Sequence, residues 1–317
     1  MCMWQSQAPA GAASCGRALP AEFGTACAPF GCGAAALIAL CSGGDRSSAF
    51  GRNLRLLDFF RNDKRRDHVR AEKLMSDTPS ELTVSLWRGG EQGRYQPYRV
   101  PLRASQTVLD VVTYVQRHLD PTLAYRFACR VGVCGSCAMT VNGRPRWTCR
   151  THVANVAHGG RLEIGPLENL PVIKDLATDM QPFFEKWQRA KGVFAPSRTR
   201  DDDIEPIRPD SAARIAADAA IECINCGVCY AACDTVRWNP DFLGPAALNR
   251  AWTLVNDARD AGNAERLAAV AASGGCHACH SHQSCQEHCP QALNPTASIA
   301  GLKRRTARAY LRGEIKP

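Results

Sequence analysis

The spacing of its cysteines limits what this chain can fold into more than any other feature. Of 17 cysteines in 317 residues, twelve fall into three compact groups, and residues 42–128 hold none. The groups are Cys129, Cys134, Cys137 and Cys149; then Cys223, Cys226, Cys229 and Cys233; then Cys276, Cys279, Cys285 and Cys289. A chain of this length does not need disulfide staples, and an odd count cannot close a disulfide framework. Thiols repeated at short spacings are ligands for something local. The other five, Cys2, Cys15, Cys27, Cys32 and Cys41, follow no ligand spacing.

The first group reads Cys129-x4-Cys134-x2-Cys137, with Cys149 following. This is the spacing of a plant-type [2Fe–2S] site. Three thiolates on one tight loop face one iron–sulfur core, and the fourth comes from a nearby strand. Gly132 and Gly135 lie between the ligands, where the backbone must curl and turn N–H groups toward sulfur. A zinc-binding interaction module is the alternative, but zinc favours paired C-x2-C knuckles. Around the loop, Leu82, Val84 and Leu86 alternate with polar residues as on a half-buried strand, and Tyr95–Leu102 reads as a second strand. Val108, Val111, Val112 and Val115 share one face of a helix expected over Thr107–Leu119, with Ser105 as its N-cap. Asn142-Gly143 signals a hairpin between Ala138–Val141 and Arg144–Cys149, and Arg161–Ile164 reads as another strand. A helix over Lys174–Arg189, carrying Phe183, Phe184 and Trp187, closes an α+β domain assigned to residues 75–190.

The second group, Cys223-x2-Cys226-x2-Cys229-x3-Cys233, is the bacterial ferredoxin run, whose fourth cysteine serves the other cluster. The same template laid backwards from Cys289-Pro290 asks for cysteine at 285, 282 and 279, and position 282 is His282. Exchanging the fourth cysteines gives Cys223, Cys226, Cys229 and Cys289 for a [4Fe–4S] cluster. Cys233, Cys279 and Cys285 remain, one thiolate short, as for [3Fe–4S]. The competing reading makes His282 a ligand to a fourth iron. Cys276 stands outside the template and reads as a bystander. Residues 191–210, rich in proline and charge, read as a linker, and 211–317 as a mostly helical domain with helices near Pro245–Asp260, Ala264–Ala272 and Pro295–Arg312.

Residues 1–74 read as an upstream extension without a packed fold, and they contribute +4 of the net charge of +9. The remainder is only modestly basic, which suits an anionic membrane face or an acidic partner. No basic stripe with interleaved aromatics argues for nucleic acid. No apolar run approaches the roughly 18 residues of a membrane span. With no GxGxxG after a strand, Walker loop or HExxH, the chain reads as a wire for single electrons, with no flavin site of its own.

The stretches CRVGVCGSCAMTVNG, CINCGVCYAACDTVRWNPDFLGPAAL and CHSHQSCQEHCPQALNPT resemble the iron–sulfur subunit of succinate dehydrogenase and fumarate reductase. The fumarate reductase branch is closer, from CGVCYAAC and an all-cysteine first site; some succinate dehydrogenases carry Asp at the position of Cys137. The resemblance implies a β-grasp [2Fe–2S] domain followed by a bacterial-ferredoxin-like helical domain. It implies three partners: a flavoprotein subunit with covalent or tightly held FAD, a membrane anchor, and quinone. The resemblance also brings Trp238, His280 and Lys303 near the quinone. Asp234 and Arg237 depart from the family, which usually has proline and often an aromatic there. Thiolate ligands need a reducing compartment during assembly, so the expected place is the cytoplasmic face of a bacterial inner membrane. The iron–sulfur subunit of another flavin-linked oxidoreductase, of glycolate oxidase type, is the nearest rival. Such subunits generally carry two complete four-cysteine runs, which His282 interrupts here.

Overall fold

The computed structural model describes residues 81–204 and 206–316. The expected extension over 1–74 and its five cysteines lie outside the described residues.

The alternation read from Leu82, Val84 and Leu86 becomes strand β1 (Glu81–Arg88), where these three are essentially fully buried. It pairs antiparallel with β2 (Arg94–Pro101). Helix α1 (Val108–Tyr114) follows, then the hairpin β3 (Ala138–Val141) and β4 (Arg144–Trp147), then β5 (Arg161–Gly165). The sheet order is β2-β1-β5-β3-β4, with β1 and β5 parallel and the other pairs antiparallel. Valines 108, 111, 112 and 115 pack with the inner residues of β1, β3 and β5 into one core. This is the helix-on-mixed-sheet arrangement expected of a β-grasp. At the hairpin tip, Asn142 and Gly143 both take positive φ, as a two-residue turn with matching twist requires.

Two local expectations differ. Thr107, not Ser105, caps α1: its hydroxyl accepts from the Asp110 N–H, while the Asp110 carboxylate accepts from the Thr107 N–H. Ser105 sits at φ 57°, in a left-handed turn before the helix. Past Tyr114 the helix widens into a π turn, Val115–Leu119, closed by the Asp120 N–H on the Val115 carbonyl at 2.8 Å. The helix expected over Lys174–Arg189 is α2 (Gln181–Arg189) alone, starting where Pro182 fits the first turn. The residues before it form a small hairpin, β6 (Val172–Lys174) and β7 (Ala177–Thr178). Asp175 in its turn accepts from the Gly89 and Ala124 N–H groups and pairs with Arg88 at 2.8 Å. These long-range bonds override the local helical composition.

The second half contains α3 (Ala212–Ile221), α4 (Val228–Ala231), α5 (Asp234–Trp238), α6 (Pro245–Val255), α7 (Asn263–Ala271), α8 (Ser284–Glu287) and α9 (Pro295–Leu311). Its core gathers Val228, Tyr230, Phe242, Leu248, Val270 and Leu302, and also takes Ala138, Leu167 and Phe183 from the first half. Helix α2 therefore packs with the helical half.

The segment read as a linker is tied down over its first residues. Arg266, 1% exposed, donates to the Lys191 and Val193 carbonyls and forms a two-pronged pair with Asp260, whose carboxylate also accepts from the Ala195 N–H. Removing one member of a buried pair strands the other charge. Replacing Arg266 with Met is expected to cost about 3–5 kcal/mol, while the double replacement of Arg266 by Met and Asp260 by Leu costs less; chemical denaturation of the three proteins measures both.

Candidate functional site

The loop after residue 128 is bent by three left-handed residues, Arg130, Gly132 and Gly135. That curl turns the Val131 and Val133 N–H groups onto the Cys129 sulfur at 3.4 Å each, and the Cys129 N–H onto Cys134 Sγ at 3.5 Å. The N–H groups of Val133 and Val131, aided by Cys134, pull the Cys129 thiol down to about 6. Cys137 and Cys149 sit inside, against Leu109, under Tyr125 and Trp147. Burial, then contact with Cys137, pushes the Cys149 thiol up. Cys149 lies in a 3-10 turn directly after β4, held there by Thr148, whose N–H and hydroxyl both donate to the Cys137 carbonyl. A side chain at Gly132 would run into the Trp147 ring at 2.9 Å. The loop is thus a cradle of N–H donors around inward-facing sulfurs, a donor set suited to an anionic [2Fe–2S] group.

In the helical half, α4 and α8 are short helices that follow left-handed residues Gly227 and Gln283. Cysteines on and around these helices form two adjoining groups. One cavity is lined by Cys223, Cys226, Cys229 and Cys289 together with Pro290. Burial drives all of the first three upward, Cys226 to about 12, and Cys289 adds to the rise of each. Burial likewise raises Cys233 and Cys285; Cys279 acts on both, and Cys233 on Cys285. The Thr296 hydroxyl lies 3.3 Å from Cys285 Sγ, and the Ser281 N–H points at Cys279 Sγ at 3.4 Å. Cys229 also feels Cys285, so the two sets adjoin.

Of the three residues expected near quinone, Lys303 and His280 adjoin Cys279, and Trp238 stands against His282. Lys303 Nζ donates to the Cys279 carbonyl at 2.8 Å. The His280 and His282 rings lie 6.0 Å apart, and Trp238, 68% exposed, stands edge-on to His282 at 6.1 Å. Arg237, one of the two departures from the family pattern, pairs with Glu168. Cys276 is fully buried beside Thr306, whose hydroxyl is also 3.0 Å from His277 Nε2. Sequence reading missed Asn169. In a left-handed position, it spreads its amide over the Tyr230, Ala231 and Cys233 carbonyls at 3.1–3.2 Å and fixes the end of α4. No signal near residue 169 announces a partner some sixty positions away; only a tolerance of Asn for positive φ marks it.

The first two sites touch. A Cβ at Gly135 would lie 2.7 Å from both Cα and Cβ of Cys226.

A β-grasp loop of four thiols followed by a helical unit with two further groups of cysteines marks the class of iron–sulfur proteins. Comparison with known proteins narrows this. Residues 82–185 match the 2Fe-2S iron-sulfur cluster binding domain family, and residues 219–293 match the 4Fe-4S dicluster domain family. The chain is 36% identical over 221 residues to the fumarate reductase iron-sulfur subunit of Escherichia coli O6:H1, covering 69% of this chain and 89% of that one. It is 37% identical over 228 residues to the fumarate reductase iron-sulfur subunit of Mycobacterium tuberculosis, covering 70% and 90%. To the succinate dehydrogenase iron-sulfur subunit of Paracoccus denitrificans it is 33% identical, covering 68% and 82%. A chain of the Mycobacterium smegmatis Sdh1 complex in the apo form superposes with a TM-score of 0.65 at 28% identity, over 74% of this chain and 98% of that chain. The protein belongs to the family of iron–sulfur subunits of fumarate reductase and succinate dehydrogenase, and so to an oxidoreductase complex.

Gly135→Ala combines a left-handed backbone, worth roughly 1–2 kcal/mol against a non-glycine residue, with the Cys226 clash. Gly143, also at φ 72°, has open space around it. Denaturation should therefore show a larger loss for Gly135→Ala than for Gly143→Ala, the difference measuring the contact between the two sites.

Proposed function

We propose that this chain relays single electrons between the FAD of a flavoprotein subunit and membrane quinone. In this reading Cys129, Cys134, Cys137 and Cys149 hold [2Fe–2S]. Cys223, Cys226, Cys229 and Cys289 hold [4Fe–4S], and Cys233, Cys279 and Cys285 hold [3Fe–4S]. The single observation that supports it is the cavity that Cys223, Cys226 and Cys229 line together with the distant Cys289, with Cys233, Cys279 and Cys285 left to act on one another beside it. Bound clusters of these kinds supply one-electron redox chemistry at potentials set by charge, hydrogen bonds and exposure.

The chain's own residues do the rest. The N–H groups of Val131 and Val133 stabilise thiolate charge at Cys129. The close approach of Gly135 to Cys226 shortens the path from the first site to the second. Cys229 beside Cys285 does the same between the second and the third. At the third site, exposed Trp238 with His280 and Lys303 forms the face that meets quinone and the membrane anchor, which aromatic enrichment at interfaces favours. Among the described residues no helix is long and apolar enough to cross a membrane. In this reading a membrane anchor subunit supplies the attachment. The working location is the cytoplasmic face of a bacterial inner membrane, where thiols stay reduced during assembly.

His282 stands where the ferredoxin template has the second cysteine of its run, which would be the fourth ligand of the third cluster. Replacing His282 with Cys supplies that thiolate. Low-temperature EPR of the oxidised variant should show the [3Fe–4S] signal diminished, with a new [4Fe–4S] signal on reduction; an unchanged oxidised signal contradicts the missing-ligand assignment.

A further inference from the structure

Lys186 is an unusual lysine. It lies on the inner face of α2 and is only 8% exposed. Its ammonium stands 5.0 Å from the centre of the Tyr230 ring. Among the described residues it makes no ion pair, while other buried cations such as Arg266 have carboxylates at hydrogen-bond distance. An ammonium taken from water without a carboxylate is costly unless some other negative charge compensates it.

Two negative groups act on it, Asp241 and then Cys233, and the local packing ties it to the second. Phe183, one turn before Lys186, packs edge-on against Tyr230 with ring centres 5.6 Å apart. Phe183 and Lys186 thus both grip the Tyr230 ring, one through an apolar edge and one through charge. Tyr230 is joined to Cys233 by one helical turn, its carbonyl accepting from the Cys233 N–H at 3.3 Å. Asn169 locks that same turn. The ammonium is therefore held at a fixed place relative to Cys233. Burial, then the neighbouring Arg189, holds Lys186 below the ordinary lysine range, while Asp241 and the Cys233 thiolate oppose that shift.

We propose that Lys186 is the counter-charge of the third site, a positioning residue whose desolvated ammonium favours the more anionic, reduced state there and so raises its reduction potential. One electron arrives from the second site and one leaves toward quinone; no bond at Lys186 forms or breaks. Interaction through the protein interior rather than through water makes a single fixed charge effective. Such a cation makes the step from the second site to the third more downhill. The inference rests on the reading that Cys233, Cys279 and Cys285 hold a one-electron centre.

The test is an EPR-monitored redox titration of the full chain, purified anaerobically, as wild type, Lys186→Gln and Lys186→Arg. At the wild-type midpoint of the third centre, Lys186→Gln should lower the ratio of reduced to oxidised [3Fe–4S] about tenfold, equivalent to about 59 mV for one electron. The [2Fe–2S] midpoint in the same sample should stay unchanged, and Lys186→Arg should recover most of the shift. An unchanged [3Fe–4S] midpoint in Lys186→Gln overturns the proposal. So does a shift that Arg does not recover, or one shared equally by [2Fe–2S]. If Lys186→Gln loses the [3Fe–4S] signal, Lys186→Arg decides: a retained signal near the wild-type potential supports the charge role, and loss in both variants reduces Lys186 to packing. A wild-type chain with no [3Fe–4S] signal fails the assignment of the third site itself, a result distinct from an intact signal at an unshifted potential.

Discussion

The structure depends on one demand: thiols that share a centre must converge, although the chain supplies them from distant segments. In the proposed assignment Cys289 returns to the loop of Cys223, Cys226 and Cys229, with which it lines one cavity, and Cys233 joins Cys279 and Cys285. These crossings pin residues 223–233 against 276–289. What lies between them, chiefly α6 and α7, fills the remaining space as core, with Leu248 and Val270 fully buried. The first site makes the same demand on a smaller scale, with Cys149 brought under the loop by the turn after β4. The contact of Gly135 with Cys226 then joins the two halves at the place where the proposed relay would pass an electron.

Electrostatics divides the thiols by surroundings. The surface thiol Cys129 is eased toward thiolate by N–H groups, whereas desolvation makes Cys226, Cys229 and Cys285 hold their protons. A metal group entering these sites must therefore displace protons, and its binding energy becomes folding energy. The cations near the third site follow the same logic. Lys303 is anchored on the Cys279 carbonyl and Lys186 on the Tyr230 ring, so positive charge stands close to where thiolates are fewest.

Much of this was legible in the sequence because ligand spacing and strand alternation are local codes. The alternation at Leu82, Val84 and Leu86 and the turn at Asn142-Gly143 both carry into the structure. The failures were non-local. The residues after Val172 look helical by composition, yet Asp175 is claimed by Arg88, Gly89 and Ala124, and a hairpin forms instead. The stretch 191–210 reads as a linker by its proline and charge; its first residues are bound by Arg266 on α7 and by Asp260 just before that helix, some seventy residues away. Lys186 and Asn169 acquire their roles only through partners in α4, which no window around them contains. Thr107 was a nearer miss, since its capping partner Asp110 is visible three residues on.

The central claim is that three centres of different kinds share one chain. Low-temperature EPR of the anaerobically purified wild-type chain tests it most directly. The account predicts a [3Fe–4S] signal in the oxidised protein, a [2Fe–2S] signal on mild reduction, and a [4Fe–4S] contribution on stronger reduction. Iron-free, EPR-silent protein, or two [4Fe–4S] signals with no oxidised [3Fe–4S] signal, would contradict it.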